Sequence, residues 1–207
     1  MRYFDLREQL KDCVVFSVND IRNIEPDFDL RRLSEWVAKG LIKRIRRGFY
    51  VFADTSIEEE TLFIIANKIY QPSYISYETA LSSYGIIPEA VFGVTSATTL
   101  KTQDFNTSAG HFIYRRIKPE LFFGYYPEQF RGVVYKKAYL EKAILDHLYS
   151  RPDIGDQTQF RETRFKTEPA KALIKEKRFR EYAQRFNNQA LFKRAQNFIN
   201  YLDHAEF

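Results

Sequence analysis

The stretch DIRNIEPDFDLRRLSEWVAKGLIKRIRRGFYVF, residues 20–52, decides how the chain is read. Pro26 forces the residue before it out of helical geometry, Asp27 is a good N-cap, and Gly40 stands where a helix must stop in a left-handed turn. A helix is predicted between them. Leu30, Leu33, Trp36 and Val37 recur at helical spacing and form its buried face. At about 100° per residue, Arg31, Glu35 and Ala38 point the opposite way, with Arg32 and Lys39 on the flank. Beyond Gly40, the strand formers Leu41, Ile42 and Ile45 and then Phe49, Tyr50, Val51 and Phe52 flank Arg47-Gly48, where glycine lets the chain reverse. The hairpin so predicted is basic: Lys39, Lys43, Arg44, Arg46 and Arg47 fall here, and no acidic residue occurs between Ala38 and Ala53.

On the N-terminal side, Tyr3 to Lys11 reads as a short helix offering Phe4, Leu6 and Leu10 to a core. Ser17 caps a second helix that runs from Val18 to about Ile24, with Asp20 at the capping-box position. Three helices followed by a basic hairpin is the order of a winged helix-turn-helix, and the physics of DNA binding gives each part a use. The third helix fits the major groove, where Arg31 and Glu35 meet base edges, arginine preferring guanine and glutamate accepting from cytosine. Arg32, Lys39, Lys43, Arg44, Arg46 and Arg47 then contact phosphates or enter the adjacent minor groove, adding affinity with little sequence information. The competing reading makes the hairpin a solvated basic edge and Arg31 and Glu35 local surface pairs.

The remaining 150 or so residues make a body. Ser56 and Glu59 have capping-box spacing ahead of a helix whose buried stripe is Leu62, Ile65, Ala66 and Ile69. A second helix runs from Tyr77 to Tyr84, capped by Ser76 and stopped by Gly85. From Val91 to Ala138 the short runs VFGVTSATT, GHFIYRRI, LFFGYY and GVVYKKA predict a small, mostly antiparallel sheet. Helical spacing returns at Leu140, Ile144, Leu145 and Leu148, the stretch from Asp153 to Thr167 reads as a linker, and two C-terminal helices follow, one from Pro169 to about Phe186 and one to about Leu202. The expected fold is therefore α+β, divided as a winged head over 1–54, an α+β body over 55–152, and a linker with a helical pair over 153–207. That pair carries a second group of cations, which reads as a solvated amphipathic face or as a further nucleic-acid contact.

Composition narrows the chemistry. Among 207 residues, 44% are hydrophobic and 29% charged, enough for a packed core and an ordinary soluble surface, and the formal net charge of +5 suits a polyanionic partner without requiring one. The 14 tyrosines and 19 phenylalanines are spread along the whole chain, which points to packing before base stacking. Cys13 stands alone, so neither an internal disulfide nor a thiolate zinc site is available. The charged start MRYFDLREQLKD lacks an apolar leader and no stretch is long enough to span a bilayer, so a cytoplasmic protein without a membrane partner is expected. No phosphate-binding glycine loop occurs, and His111, His147 and His204 lack metal-binding spacing, so no cofactor, metal or enzymatic activity is expected. The one nuclease-like grouping would join Asp104, Glu141 and Lys142 around a metal.

Residues 20–52 resemble the N-terminal winged helix of AbiEi-type antitoxins, the regulator half of bacterial type IV toxin-antitoxin (abortive infection) operons. YQPSYISYETALSSYGIIPEAVFGVTSATT (70–99), FIYRRIKPELFFGY (112–125) and YLEKAILDHLY (139–149) are similar to the middle of that family. The resemblance covers most of residues 14–152. It implies a repressor that binds inverted-repeat double-stranded DNA at its own promoter and antagonises a nucleotidyltransferase toxin; a two-fold operator in turn demands two heads, so a homodimer is expected. It also sets Arg31, Arg32, Lys39, Lys43, Arg44, Arg46 and Arg47 on DNA-contacting elements. No short motif defines the antitoxic surface; Ser76 to Leu81 and Glu141 to Asp146 are the most family-like segments. The alternative is a stand-alone, ligand-responsive regulator whose aromatic-rich body binds a small molecule.

Overall fold

The computed structural model describes residues 1–88 and 93–204. Helices α1 (Tyr3–Gln9), α2 (Val18–Ile24) and α3 (Arg31–Ala38) combine with strands β1 (Phe16–Ser17), β2 (Ile42–Arg46) and β3 (Phe49–Phe52) in an N-terminal head. Its sheet is antiparallel, in the order β1-β3-β2. The capping box forms as read: Ser17 Oγ accepts from the Asp20 amide, and the Asp20 carboxylate accepts from the Ser17 amide at 2.7 Å.

This small sheet is a wall shared by two cores. One face holds Phe16, Ile42, Tyr50 and Phe52 against Leu6, Ile21, Leu33 and Trp36. Val15, Ile45 and Val51 instead join the core of the body. Two expectations change here. Phe4 is 80% exposed, because α1 turns Leu6 and Leu10 inward. α3 starts at Arg31 with Leu30 at the N-cap position, later than Asp27 implied, and Asp29 Oδ1 accepts from the Arg31 amide at 3.0 Å just ahead of it. Leu30 is thereby left in solvent and Phe28 takes its place, packing on Trp36 at 5.6 Å.

The body contains α4 (Glu59–Ile69), β4 (Ser73–Ile75), α5 (Tyr77–Ser83), β5 (Val94–Thr98), β6 (Gln103–Asn106), β7 (His111–Arg116), β8 (Tyr125–Phe130), β9 (Val133–Ala138) and α6 (Leu140–Ser150). The expected small, mostly antiparallel sheet is a six-stranded mixed one, ordered β6-β7-β5-β4-β9-β8. Three antiparallel pairs, β4/β5, β6/β7 and β8/β9, are laid side by side, and the seams β5/β7 and β4/β9 are parallel. β4 and β6 escape sequence reading because they are three and four residues long, and β6 alternates exposed with half-buried side chains. Within the run VFGVTSATT the strand starts at Val94; Val91 and Phe92 lie outside the described residues.

Neighbouring residues of a strand face opposite ways, so β4 turns Ser73 toward α4 and Tyr74 toward α6. α4 begins at Glu59, leaving Ser56 ahead of the helix with its hydroxyl on Glu58 Oε1. Ser76 does not cap α5 with its side chain, which is drawn instead to Asp146.

Residues 153–204 depart most from expectation. The predicted linker contains α7 (Gln157–Glu162), capped by Asp156, and buries Phe160 and Phe165. The helix predicted from Pro169 to Phe186 is two helices, α8 (Thr167–Leu173) and α9 (Glu176–Arg185), before α10 (Gln189–His204). The break has a physical cause: the buried Glu141 carboxylate accepts from the Lys175 amide at 2.8 Å, satisfying a donor that a continuous helix would have used internally. Phe160, Phe179, Phe198 and Tyr201 carry these helices into the same core as the sheet.

Candidate nucleic-acid interface

On α3, Leu33 and Trp36 are buried and Val37 half-buried, while Arg31, Arg32, Glu35, Ala38 and Lys39 are exposed. The amphipathic division is therefore as the spacing predicted, apart from Leu30. Trp36 anchors the helix through edge contacts with Tyr3 at 5.7 Å. The Arg31 side chain stands in solvent and its Nε lies 3.5 Å from Asp29. Arg32 is less free, since its guanidinium donates to the Met1 carbonyl. The C-terminus closes with Gly40 at φ +66° and the Leu41 amide bonded to the Trp36 carbonyl, which sends the chain straight into β2.

The hairpin turns at Arg47-Gly48, with Gly48 at φ +83°. Strand alternation separates its cations. Arg44 shares a face with Tyr50, over whose ring it sits at 5.8 Å, whereas Lys43 lies on the face of Ile45 and Val51. A bulge between Arg44 and Arg46 then turns Ile45 and Arg46 together toward the body. There the Arg46 guanidinium donates to the Ile69 carbonyl at 2.7 Å and stacks 4.4 Å over Phe105. It is half-buried and committed. Arg31, Glu35, Lys39, Lys43, Arg44 and Arg47 remain exposed; Arg31, Arg32, Glu35 and Lys39 share one helix, Arg44 and Arg47 follow on the hairpin, and Arg46 belongs to the junction between head and body. Ser108, at the β6–β7 turn, braces the same junction by donating to the Arg44 carbonyl at 3.0 Å.

The segments Ser76 to Leu81 and Glu141 to Asp146 come together through α5 and α6, but inside the protein. Asp146 Oδ2 accepts from Tyr74 at 3.0 Å and from Ser76 at 2.8 Å, and its other oxygen pairs with Lys142, whose ammonium also donates to Tyr74 at 2.8 Å. All four side chains are fully buried. Burial pushes the Lys142 ammonium below its ordinary pKa and the Tyr74 and Tyr77 phenols well above theirs. Glu141 accepts from Arg178 at 3.0 Å. Burial raises the pKa of Glu78, but His147 and Arg115, the latter at 2.8 Å, outweigh it and bring the carboxyl to about 2. Sequence reading misses this network because its charged members, Glu78, Lys142 and Asp146, each look like a surface residue when taken alone.

The nuclease-like grouping is not assembled: Asp104 pairs with His111, Glu141 with Arg178, and Lys142 with Asp146. Among the described residues no cluster of three or more His, Cys, Asp or Glu could hold a metal, and no helix is long and apolar enough to cross a membrane. No family model and no curated protein matches this chain.

Proposed function

We propose that the chain is a DNA-binding transcriptional repressor with a winged helix-turn-helix head, serving as the antitoxin of a type IV toxin-antitoxin operon. The observation that carries this reading is the exposed α3, with Arg31 and Glu35 outward, running through one glycine turn into a hairpin that presents Arg44 and Arg47. α3 enters the major groove and Arg31 and Glu35 read base edges there. Arg32, Lys39, Arg44 and Arg47 hold phosphates, and Lys43, on the opposite face of the hairpin, takes no part. Two copies meet a two-fold operator with half-sites about 10 base pairs apart or a multiple of that. The antitoxin role rests on the resemblance over residues 14–152. The body then acts in antagonism of a cognate nucleotidyltransferase toxin without catalysis of its own, in the cytoplasm.

Gel-shift titration against the promoter upstream of the chain's own gene tests the first half. Retardation at a repeated sequence, lost when Arg31 and Arg47 are replaced by alanine, is expected; equal binding to unrelated duplexes, or no binding, rejects it. Co-expression with a neighbouring nucleotidyltransferase tests the second. Failure to relieve that neighbour's growth arrest rejects the antitoxin role and leaves the DNA reading standing.

A further inference from the structure

A groove of about 600 Å³ runs between α9 and α10. Its floor is apolar, made by Phe179 and Ala183 from α9 and by Phe192, Ala195 and Ile199 from α10. Phe192 and Ile199 are only half-buried although both are large and hydrophobic, so part of each still meets water. The groove exists because Ala183 and Ala195, each 2% exposed, end at Cβ where longer side chains would have filled the space. Along α10, Phe192, Lys193, Gln196, Ile199 and Asn200 stand at i, i+1, i+4, i+7 and i+8, one face of the helix over about 12 Å.

The charge along this groove has one sign. Its ionisable lining residues are Arg180 on the α9 side and Lys193 on the α10 side, with no acid among them. Lys193 is exposed and has no ion pair or hydrogen bond among the described residues. Arg180 meets Glu176 at 3.2 Å, an exposed contact one turn back on the same helix that water and salt screen, so its guanidinium stays open to a better-placed carboxylate. An apolar floor with a polar rim is the anatomy of a protein–protein contact, and a two-turn channel between helices receives a third helix by its apolar side chains. A second copy of this chain would bring two basic rims together and is repelled. A nucleic acid would answer the charge but leave the apolar floor unused.

We propose that the groove between α9 and α10 is the docking site for an amphipathic, acidic helix of another protein. The apolar side chains of that helix lie on Phe179, Phe192 and Ile199, and its carboxylates meet Arg180 and Lys193. Ala183 and Ala195 let it come close. The inference does not depend on what the head binds.

The experiment measures fluorescence anisotropy of labelled peptides of about 15 residues mixed with the full chain, without DNA. The acidic probe has leucines at i, i+3, i+4 and i+7 flanked by glutamates; one control replaces each glutamate with lysine, and another keeps the composition but spreads the leucines around the helix. Saturable binding of the acidic probe alone is expected. Arg180 and Lys193 are both exposed, so the double variant Arg180→Glu/Lys193→Glu folds. It should bind the acidic probe about tenfold more weakly, two surface attractions having become repulsions, and should gain affinity for the lysine control. Equal binding of the acidic probe and its scrambled control, unchanged affinity in the double variant, or no binding overturns the proposal. Displacement of the acidic probe by a single-stranded oligonucleotide also overturns it, by making the groove a nucleic-acid contact. So does self-association of the chain that the probe reverses, which would give the groove to a second copy. Binding as expected with no DNA retardation would reject the repressor reading and leave this one intact.

Discussion

α3 and α6 are both short helices rich in charge, yet α3 leaves Arg31, Arg32, Glu35 and Lys39 in solvent while α6 buries Glu141, Lys142, Asp146 and His147. The difference lies in what surrounds them. α3 packs on one side only, against the head core, so its outer face keeps its hydration and is free to meet a partner. α6 is enclosed by α5, β9, α9 and α10, and charges placed there survive folding only because most are bonded, Asp146 by three donors and Glu141 by two. Charged residues in a helix thus mark a surface in one region and a core in the other.

The comparison is broken most sharply at Asp146. Asp146→Ala should lower unfolding free energy by about 3–5 kcal/mol, since it strands the Lys142 ammonium in the interior; a urea midpoint equal to wild type would mean that the α6 charges are solvated after all. Next comes Glu78. Its carboxyl is held near 2, below the ordinary 4.5, so it stabilises the fold above pH 4.5 and that contribution is lost as pH falls through about 2. Denaturation from pH 5 to 2 should show a shallower acid loss for Glu78→Gln, by roughly 3 kcal/mol at most; parallel curves would remove the pairing.

A smaller effect is expected within the hairpin, where Arg46 and Arg47 are adjacent in sequence but differ in surroundings. Arg46→Ala should cost about 1–2 kcal/mol, from one hydrogen bond and the stacking on Phe105. Arg47→Ala should leave stability within about 0.5 kcal/mol of wild type and, under the repressor reading, weaken binding to all DNA sequences and flatten its salt dependence by about one counterion. Identical urea curves for the two variants would erase the distinction between a junction arginine and a free one.

Local signals made the head legible. The Ser17–Asp20 box, Gly40 and Gly48 each impose a geometry through their own backbone or a neighbour three residues away, and the structure places the corresponding elements there. The start of α3 differs from the sequence reading because neither Asp27 nor Asp29 is its N-cap: Leu30 holds that position without a side-chain cap, and Phe28 packs on Trp36 in its stead. In the candidate interface, the exposure of Arg31, Glu35 and Lys39 followed from helical spacing. The fate of Arg46 did not, because a one-residue bulge reverses strand alternation and its partners, Ile69 and Phe105, are 23 and 59 positions away.

Periodicity, caps and glycines in this amino-acid string determined that a cation-bearing helix would be followed by a basic hairpin, since each depends on contacts within a few residues. Tertiary packing alone decided which strands run parallel, that the C-terminal helices join the core of the body, and that the charges of α6 face one another out of water. Those outcomes depend on pairing groups tens of residues apart, and a buried Lys–Asp pair has the same one-dimensional pattern as a solvated one.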